Sequence, residues 1–459
     1  MGKVRRLFKH TAVYSIGLFL KKAIGFFLIP IYTRVLPPSE YGILALSYLF
    51  VSFSLLFSAL GLNTAFFKWF TSEGREKEAA STLLWFKIFI ISPVLLIFMI
   101  FSKPISLLVF RKSLPELIIL SILIVITENI ATFFTLILRA EEKSFAYVLV
   151  NTVRFLLNMG LNIVFVVVFR LGVKGILFGD LISLVFLIIL ALPFVFKHFA
   201  WTLDRELLKK MFGYGLPLLP LTLIMLLLEL SDRYLINIFK GTGEAGIYTL
   251  GYQFGTILQL FILGFRFAWE PFFFKNPEEK ELFSRAGLLF LRIGLFMWTG
   301  LVFLLPEIFK IFVSPVYHSS MAVVSVVAAG YIFFGLHEVF SAPFFIHSRT
   351  KLLIPIAGAS FLLNFLLNLY FIPRWGGMGA AFTTLLSYFV LAILSYIYAQ
   401  KIMRVPHKLT AITIDTVVTF LIYVLLKDTG LIVRLSAILI VSIYLYLRSF
   451  NMNLKVKHR

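Results

Sequence analysis

Glu40-Tyr41-Gly42-Ile43-Leu44-Ala45-Leu46-Ser47-Tyr48-Leu49-Phe50 returns 204 positions later as Glu244-Ala245-Gly246-Ile247-Tyr248-Thr249-Leu250-Gly251-Tyr252-Gln253-Phe254, with six of eleven positions identical. Further along, Phe155-Leu156-Leu157-Asn158 returns as Phe361-Leu362-Leu363-Asn364, and Asn162 matches Asn368. Gly172-x-x-Gly175 matches Gly376-x-x-Gly379, again 204 apart. The chain is therefore written twice. Two matching halves in an apolar chain predict a lumen between them and a machine that rocks around it.

The surroundings of the repeat set the solvent. Hydrophobic residues make up 60% of the 459 positions and charged ones 14%, too apolar for a soluble protein. Stretches of about 20 apolar residues recur along the chain, the length that an α-helix needs to cross a bilayer core. Runs such as Ser92–Ser102 and Leu117–Ile126 do not alternate with period two, which excludes a β-barrel. The expected fold is an all-α polytopic membrane protein with spans near 11–35, 42–66, 80–102, 116–138, 145–169, 174–196, 213–238, 245–265, 286–308, 320–346, 352–372, 376–399, 409–426 and 430–447. That is about fourteen helices. The first follows Lys3, Arg5, Arg6 and Lys9, is longer than the apolar core of a signal peptide and lacks a small-residue cleavage site, so it reads as a retained helix.

Residues 1–206 form one six-helix lobe and 207–400 the second; 401–459 add two unpaired helices and a basic tail. An even number of helices separates the repeats, so they run parallel, related by an axis along the membrane normal. Pro30 in the first span, and Pro217 and Pro220 in its repeat partner, predict irregular first helices in both lobes. Gly175-x-x-x-Gly179 predicts close helix packing.

The formal charge of +21 is distributed by topology. With the N-terminus in the cytoplasm, 25 Lys and Arg fall on that side, 10 on the other and 8 within spans. The positive-inside rule then puts both termini in the cytoplasm, and a bacterial or archaeal cytoplasmic (inner) membrane is the expected location. Basic loops beside anionic headgroups account for the charge without nucleic acid. Cysteine is absent, which removes disulfides, thiolate chemistry and Cys-based metal sites. No metal-ligand spacing, Walker loop, dinucleotide fingerprint or nucleophile elbow occurs, so neither an enzyme nor a cofactor is expected.

Charges inside spans are costly, about 2.5–3.5 kcal/mol each at the bilayer centre on insertion scales, and each needs a partner or a wet cavity. The cations are Lys21, Lys22, Lys87, Arg154, Arg233, Arg266, Arg292 and Arg434. Two placements repeat. Lys87 aligns with Arg292 in the third helix of each lobe, and Glu128 with Glu338 in the fourth, each eleven residues before an arginine, Arg139 or Arg349. Asn151, Arg154, Asn158 and Asn162 line one side of the fifth helix, with Ala357, Ser360, Asn364 and Asn368 as repeat partners. Interhelical hydrogen bonding would explain the asparagines alone; Arg154 in the row favours a lumen-facing stripe. The acids are Glu128, Asp180, Glu229, Asp232, Glu338 and Asp415, as proton or sodium carriers or as plain counter-ions. Glu229, one turn before Arg233, is its expected partner. His337 beside Glu338 reads as a satisfied core histidine.

The ordered set Ile29-Pro30-Ile31-Tyr32-Thr33-Arg34, Glu40-Tyr41-Gly42, Asp232-Arg233-Tyr234-Leu235, Gly246-Ile247-Tyr248, Phe267-Ala268-Trp269-Glu270-Pro271-Phe272 and Gly376-Gly377-Met378-Gly379-Ala380-Ala381 resembles the oligosaccharide flippases. These are the Wzx-type, polysaccharide-transporter branch of the multidrug/oligosaccharidyl-lipid/polysaccharide exporter superfamily. The resemblance covers roughly residues 5–450. It implies a V-shaped pair of lobes around a cationic cavity. It also implies alternating-access transfer of an undecaprenyl-diphosphate-linked oligosaccharide to the outer leaflet, for O-antigen, capsule or exopolysaccharide synthesis. Implied partners are that lipid-linked glycan and the phospholipid bilayer, with other polysaccharide-assembly membrane proteins as candidates.

On this reading the substrate-binding set is Lys22, Lys87, Arg154, Asn158, Asn162, Arg233, Arg292, Asn364 and Asn368. Cations supply charge-assisted donors to a diphosphate, and carboxamides offer donor and acceptor to sugar hydroxyls. The ion-coupling set is Glu128, Glu338, Asp180 and Asp232, with proton or sodium as the coupled ion. A lipid II flippase of peptidoglycan synthesis and a cation-coupled multidrug exporter are the alternatives. A glycan polymerase or ligase would be expected to carry a large outer loop with carboxylates or arginines, and the longest outer segment, Lys103–Pro115, holds no acid.

Overall fold

In hydrocarbon no water satisfies a backbone amide, so each apolar stretch closes its own hydrogen bonds as a helix. The computed structural model describes residues 26–71 and 75–457, with side chains as far as residue 449. Among these residues there is no strand. The spans are α1 (described over Phe26–Val35), α2 (Pro38–Ala59), α3 (Glu76–Phe110), α4 (Pro115–Ala140), α5 (Ser144–Val168), α6 (Gly172–His198), α7 (Arg205–Lys240), α8 (Thr242–Lys275), α9 (Lys280–Phe312) and α10 (Pro315–Ile346). Next comes a 53-residue run, Thr350–Ile402, then α13 (Leu409–Leu426) and α14 (Leu431–Ser449).

The 53-residue run is far too long for one crossing at 1.5 Å per residue. It breaks at Gly376, whose φ of 55° and ψ of −135° interrupt the helix and give α11 (350–375) and α12 (377–402). Its repeat partner Gly172, at the start of α6, has φ of 56°. Both glycines turn the chain through the left-handed region, where a Cβ is penalised. Thirteen of the fourteen expected spans are present; of the first, expected near 11–35, residues 26–35 are helical and the remainder lies outside the described residues.

The chain divides into two compact units, Met1–Gly246 and Ile247–Arg459. The sequence repeat is centred earlier, at 206. The compact division falls later because α7 and the first turn of α8 pack on the first unit. Phe212 meets Phe86 edge to face, Asn237 donates to the Val109 carbonyl at 3.1 Å, and Tyr234 donates to that of Leu108. Gly42 on α2 and its repeat partner Gly246 on α8 touch backbone to backbone. A Cβ on Gly42 would lie 1.8 Å from the Thr242 carbonyl oxygen, and one on Gly246 would lie 2.0 Å from that of Pro38.

Two helices of the first unit are irregular at places other than those expected from Pro30, Pro217 and Pro220. α3 contains a π turn at Lys87–Ile91 and a 3₁₀ turn at Met99–Phe101, and α5 ends in a π turn at Val164–Val168. α7 is irregular where expected, with a 3₁₀ turn at Leu216–Leu218, whereas the described part of α1 stays helical through Pro30. α4 in the first unit, and α9 and α10 in the second, are the most buried spans.

Candidate substrate site

In the first unit α2, α4, α5 and α6 bring their polar side chains together. Arg154 on α5 pairs with Glu128 on α4 at 3.2 Å, with side chains 14% and 26% exposed. The Arg154 Nε is buried with no acceptor. One turn along the stripe, Asn158 donates to Asp180 on α6 at 2.6 Å, and the Tyr48 hydroxyl of α2 donates to the other carboxylate oxygen. Asn162, a further turn on, donates to the Asn158 side chain at 3.0 Å. Asn151 turns back onto its own helix, to the Tyr147 carbonyl.

Lys87 lies close enough to Glu128 to interact with its charge but is bonded elsewhere. It is 1% exposed, and its ammonium donates to three neutral oxygens: Asn63 Oδ1 at 3.1 Å, and the Asn129 carbonyl and Oδ1 at 3.1 and 3.5 Å. Asn129 in turn donates to Ser58 at 2.7 Å. Arg233 on α7 is buried and donates to the backbone carbonyl of Glu229, so Glu229 holds it through its main chain. Asp232 is fully buried. Lys22 lies outside the described residues, as does Lys21.

The second unit repeats part of this arrangement. Asn368 donates to the Asn364 side chain at 2.9 Å, as Asn162 does to Asn158, and the Thr383 hydroxyl donates to Asn368. Both asparagines are fully buried. The repeat partner of Asp180 is Thr384, so this unit lacks that carboxylate. Glu338 on α10 lies 3.6 Å from Arg266 on α8, and Arg266 also holds Glu270, one turn along its own helix, at 2.8 Å. His337 shares a hydrogen bond of 2.7 Å with Ser395.

Arg292, the repeat partner of Lys87, has a different role. It donates to Asp415 on α13 at 2.7 Å and to Ser449 at the end of α14 at 3.1 Å. Arg448 and Tyr444 of α14 donate to the same buried carboxylate. Arg434 of α14 reaches Glu307 at 2.6 Å, and Trp298 of α9 stacks on Phe420 of α13.

The two repeat-matched glutamates therefore each face an arginine, drawn from α5 in one unit and from α8 in the other. Arg266 as partner of Glu338, and Glu270 beside it, were not legible as a site from spacing to Glu338. The i, i+4 spacing of Arg266 and Glu270 inside an apolar span is the signal that marks them. Among the described residues no three His, Asp or Glu side chains gather as a metal site would require.

Fourteen apolar helices, twelve of them in two repeats, with arginine–carboxylate pairs inside the spans, define a multi-pass membrane protein built as transporters and flippases are. The chain belongs to the family described as polysaccharide biosynthesis protein, whose pattern matches residues 7–277. Its fold is similar to that of the lipid II flippase MurJ in an inward closed conformation, with a TM-score of 0.79 at 16% identity over 98% of this chain and 100% of the other. It is similar also to an inward-facing multidrug resistance MATE family transporter of the MOP superfamily (TM-score 0.69, 16% identity, 85% and 95% covered). A third likeness is to the Vibrio cholerae MATE transporter VcmN (TM-score 0.60, 15% identity, 87% and 97% covered). No curated protein matches by sequence.

Proposed function

We propose that this protein flips a polyprenyl-diphosphate-linked oligosaccharide from the cytoplasmic to the outer leaflet by alternating access, as a step in surface polysaccharide synthesis. The observation that carries this reading is the pair of arginines held inside the spans at repeat-matched glutamates, Arg154 at Glu128 and Arg266 at Glu338. Arginine presents a planar fork of donors that matches phosphate oxygens, and Arg154 keeps a donor without an acceptor. Arg266 is 51% exposed, with Glu270 one turn along the same span. Asn158, half-buried beside Arg154, is placed for sugar hydroxyls. Asn162 supports it from within the helix packing, and Asn364 and Asn368 form the corresponding pair in the second unit.

Lys87 and Arg292 are assigned to holding helices together, because both are buried and occupied by protein acceptors. The coupling ion belongs to Glu128, Glu338, Asp180 and Asp232, as proton or sodium. Membership in a polysaccharide biosynthesis family supports a glycan cargo. The extent of the likeness to a lipid II flippase supports a second reading, in which the cargo carries a peptide stem.

Native mass spectrometry of protein drawn gently from its own membrane tests both, beside the Arg154→Glu/Arg266→Glu variant. The expected result is a bound polyprenyl diphosphate with sugars in the wild type, lost in the variant. A mass with a peptide stem moves the assignment to lipid II. Bound diphosphate lipid that survives in the variant removes both arginines from the site.

A further inference from the structure

A groove of about 470 Å³ lies between α2, α3 and α4 in the first unit. Ile91, Val109 and Ile122 make a buried floor, and Phe57, Phe98 and Leu108 an exposed rim. The lining on α3 comes from both sides of the 3₁₀ turn at Met99–Phe101, so the groove forms where that helix is irregular. The exposed face of α3 is apolar, with Phe89, Ile97 and Ile100 on it, so the groove opens towards hydrocarbon. Ser58, one of two hydroxyls in the lining, accepts from Asn129 and donates to the Leu55 carbonyl, and is thereby occupied. A polar ligand would lose its water here for little return. An apolar chain would not.

The groove ends among cations. Lys103, Arg111 and Lys112 are all exposed at or just past the end of α3, and no acid occurs from 103 to 115. Tyr234 and Asn237 of α7 hold the Leu108 and Val109 carbonyls at that end, and Arg111 reaches the carbonyl of Ile238. From Ile91 to Lys103 the helix rises about 18 Å, close to the ~15 Å of hydrocarbon in one leaflet. The positive-inside rule puts the cationic end outside, at the level of the outer headgroups. A diphosphate diester carries a charge on each phosphate, whereas a zwitterionic phospholipid carries none in net. Three cations without an acid complement the diphosphate.

We propose that this groove receives the flipped product, with the polyprenyl chain along α3 and the diphosphate at Lys103, Arg111 and Lys112. The proposal rests on the flippase reading above and adds a second place for the lipid, apart from Arg154 and Arg266. The chain then stays on the flank of the first unit while its head group stands in the outer leaflet.

The test uses the whole chain in nanodiscs that contain phosphatidylglycerol. The probe is polyprenyl diphosphate N-acetylglucosamine with a diazirine in the isoprene units next to the diphosphate. After irradiation, peptide mass spectrometry maps the adducts. They are expected on the peptides that hold Phe50–Phe57 and Ile91–Val109, and to resist an excess of phosphatidylglycerol. Lys103→Gln/Lys112→Gln, both at exposed positions, is expected to weaken capture there by about fivefold for each lysine removed. Val94→Trp, which fills the groove and spares the cations, is expected to lose the same adducts. Adducts that persist unchanged in either variant overturn the proposal. Groove adducts displaced by phosphatidylglycerol overturn it too, and give the groove to phospholipid. Adducts only on other peptides overturn it and leave the flippase reading standing. No adduct on any peptide of the wild type overturns both.

Discussion

Lys87 shows how a buried charge can be held without a counter-ion in contact. Its ammonium has three hydrogens and three neutral oxygen acceptors, two of them on Asn129. Hydrogen bonds to a charged group are worth about 1.5–3 kcal/mol each, and a stranded buried charge costs more than its bonds are worth. Asn129→Leu strips one acceptor and the contact with Ser58, and is expected to destabilise the protein by about 3 kcal/mol. Lys87→Met removes the charge with its desolvation and is expected to cost clearly less, with transport retained. Thermal unfolding in detergent beside a flipping assay checks both; loss of flipping in a stable Lys87→Met protein would return Lys87 to the substrate path. A second residue outside the spans sets an acid limit. Burial holds His407, in the loop between α12 and α13, down to about 4 from its ordinary 6.5. The unfolded chain therefore takes up a proton in a window where the folded protein stays neutral. Stability from this group is whole above 6.5 and is lost as pH falls towards 4. His407→Leu, which keeps an apolar body against Phe340, is expected to lower the drop in unfolding temperature across that window. An equal drop in variant and wild type would remove His407 as its cause.

Helices α13 and α14 have no counterpart in the repeat, and sequence alone leaves them as an accessory. The structure ties them to α9 at two levels: Arg292 and Arg448 close on Asp415, and Arg434 closes on Glu307, with Trp298 stacked between. Removing one partner from a buried ion pair costs about 3–5 kcal/mol, because the remaining charge stays buried. Asp415→Asn leaves two arginines facing an amide. It is expected to loosen both helices and expose the loop at 403–408 to protease, while Asp428→Asn, fully in the open, changes nothing. Limited proteolysis in nanodiscs reads the difference, and equal cleavage in both variants would mean that the apolar contacts suffice. The limits of sequence reading are clear in this case. Hydropathy placed both helices, and the repeat placed Arg292 opposite Lys87, because periodicity and self-similarity are local or register properties. The partner of Arg292 lies on a helix outside the repeat, so no internal alignment points to it. Pro217 marked the broken start of α7, and Pro93 and Pro104, each four residues past Phe89 and Ile100, account for the π and 3₁₀ turns of α3, whereas no proline marks the π turn of α5.

At the scale of the molecule the repeat and the charge distribution constrain each other. A parallel repeat needs an even number of crossings between its copies; the described spans α2 to α6 supply five, and α1, expected near 11–35, the sixth. The fourteen crossings then return the C-terminus to the side of the N-terminus. The Lys and Arg count sets the expectation for which side that is: 25 fall on one side and 10 on the other, and the positive-inside rule puts the richer side in the cytoplasm. On that expectation the loop at 276–279 and that at 403–408 lie inside, and Lys112 and Asp428 outside. Because the chain contains no cysteine, any single one introduced is a unique label. Glu278, Arg404, Lys112 and Asp428 are all exposed and suitable for replacement by Cys. In intact cells stripped of any outer barrier, an impermeant maleimide is expected to label Lys112→Cys and Asp428→Cys at once, and Glu278→Cys and Arg404→Cys only after lysis. The reverse pattern would invert the topology and make the proposed transfer run inward. Labelling of Lys112→Cys and Arg404→Cys on one side would be more serious, because an even difference in crossings between them would break the count on which the parallel repeat depends.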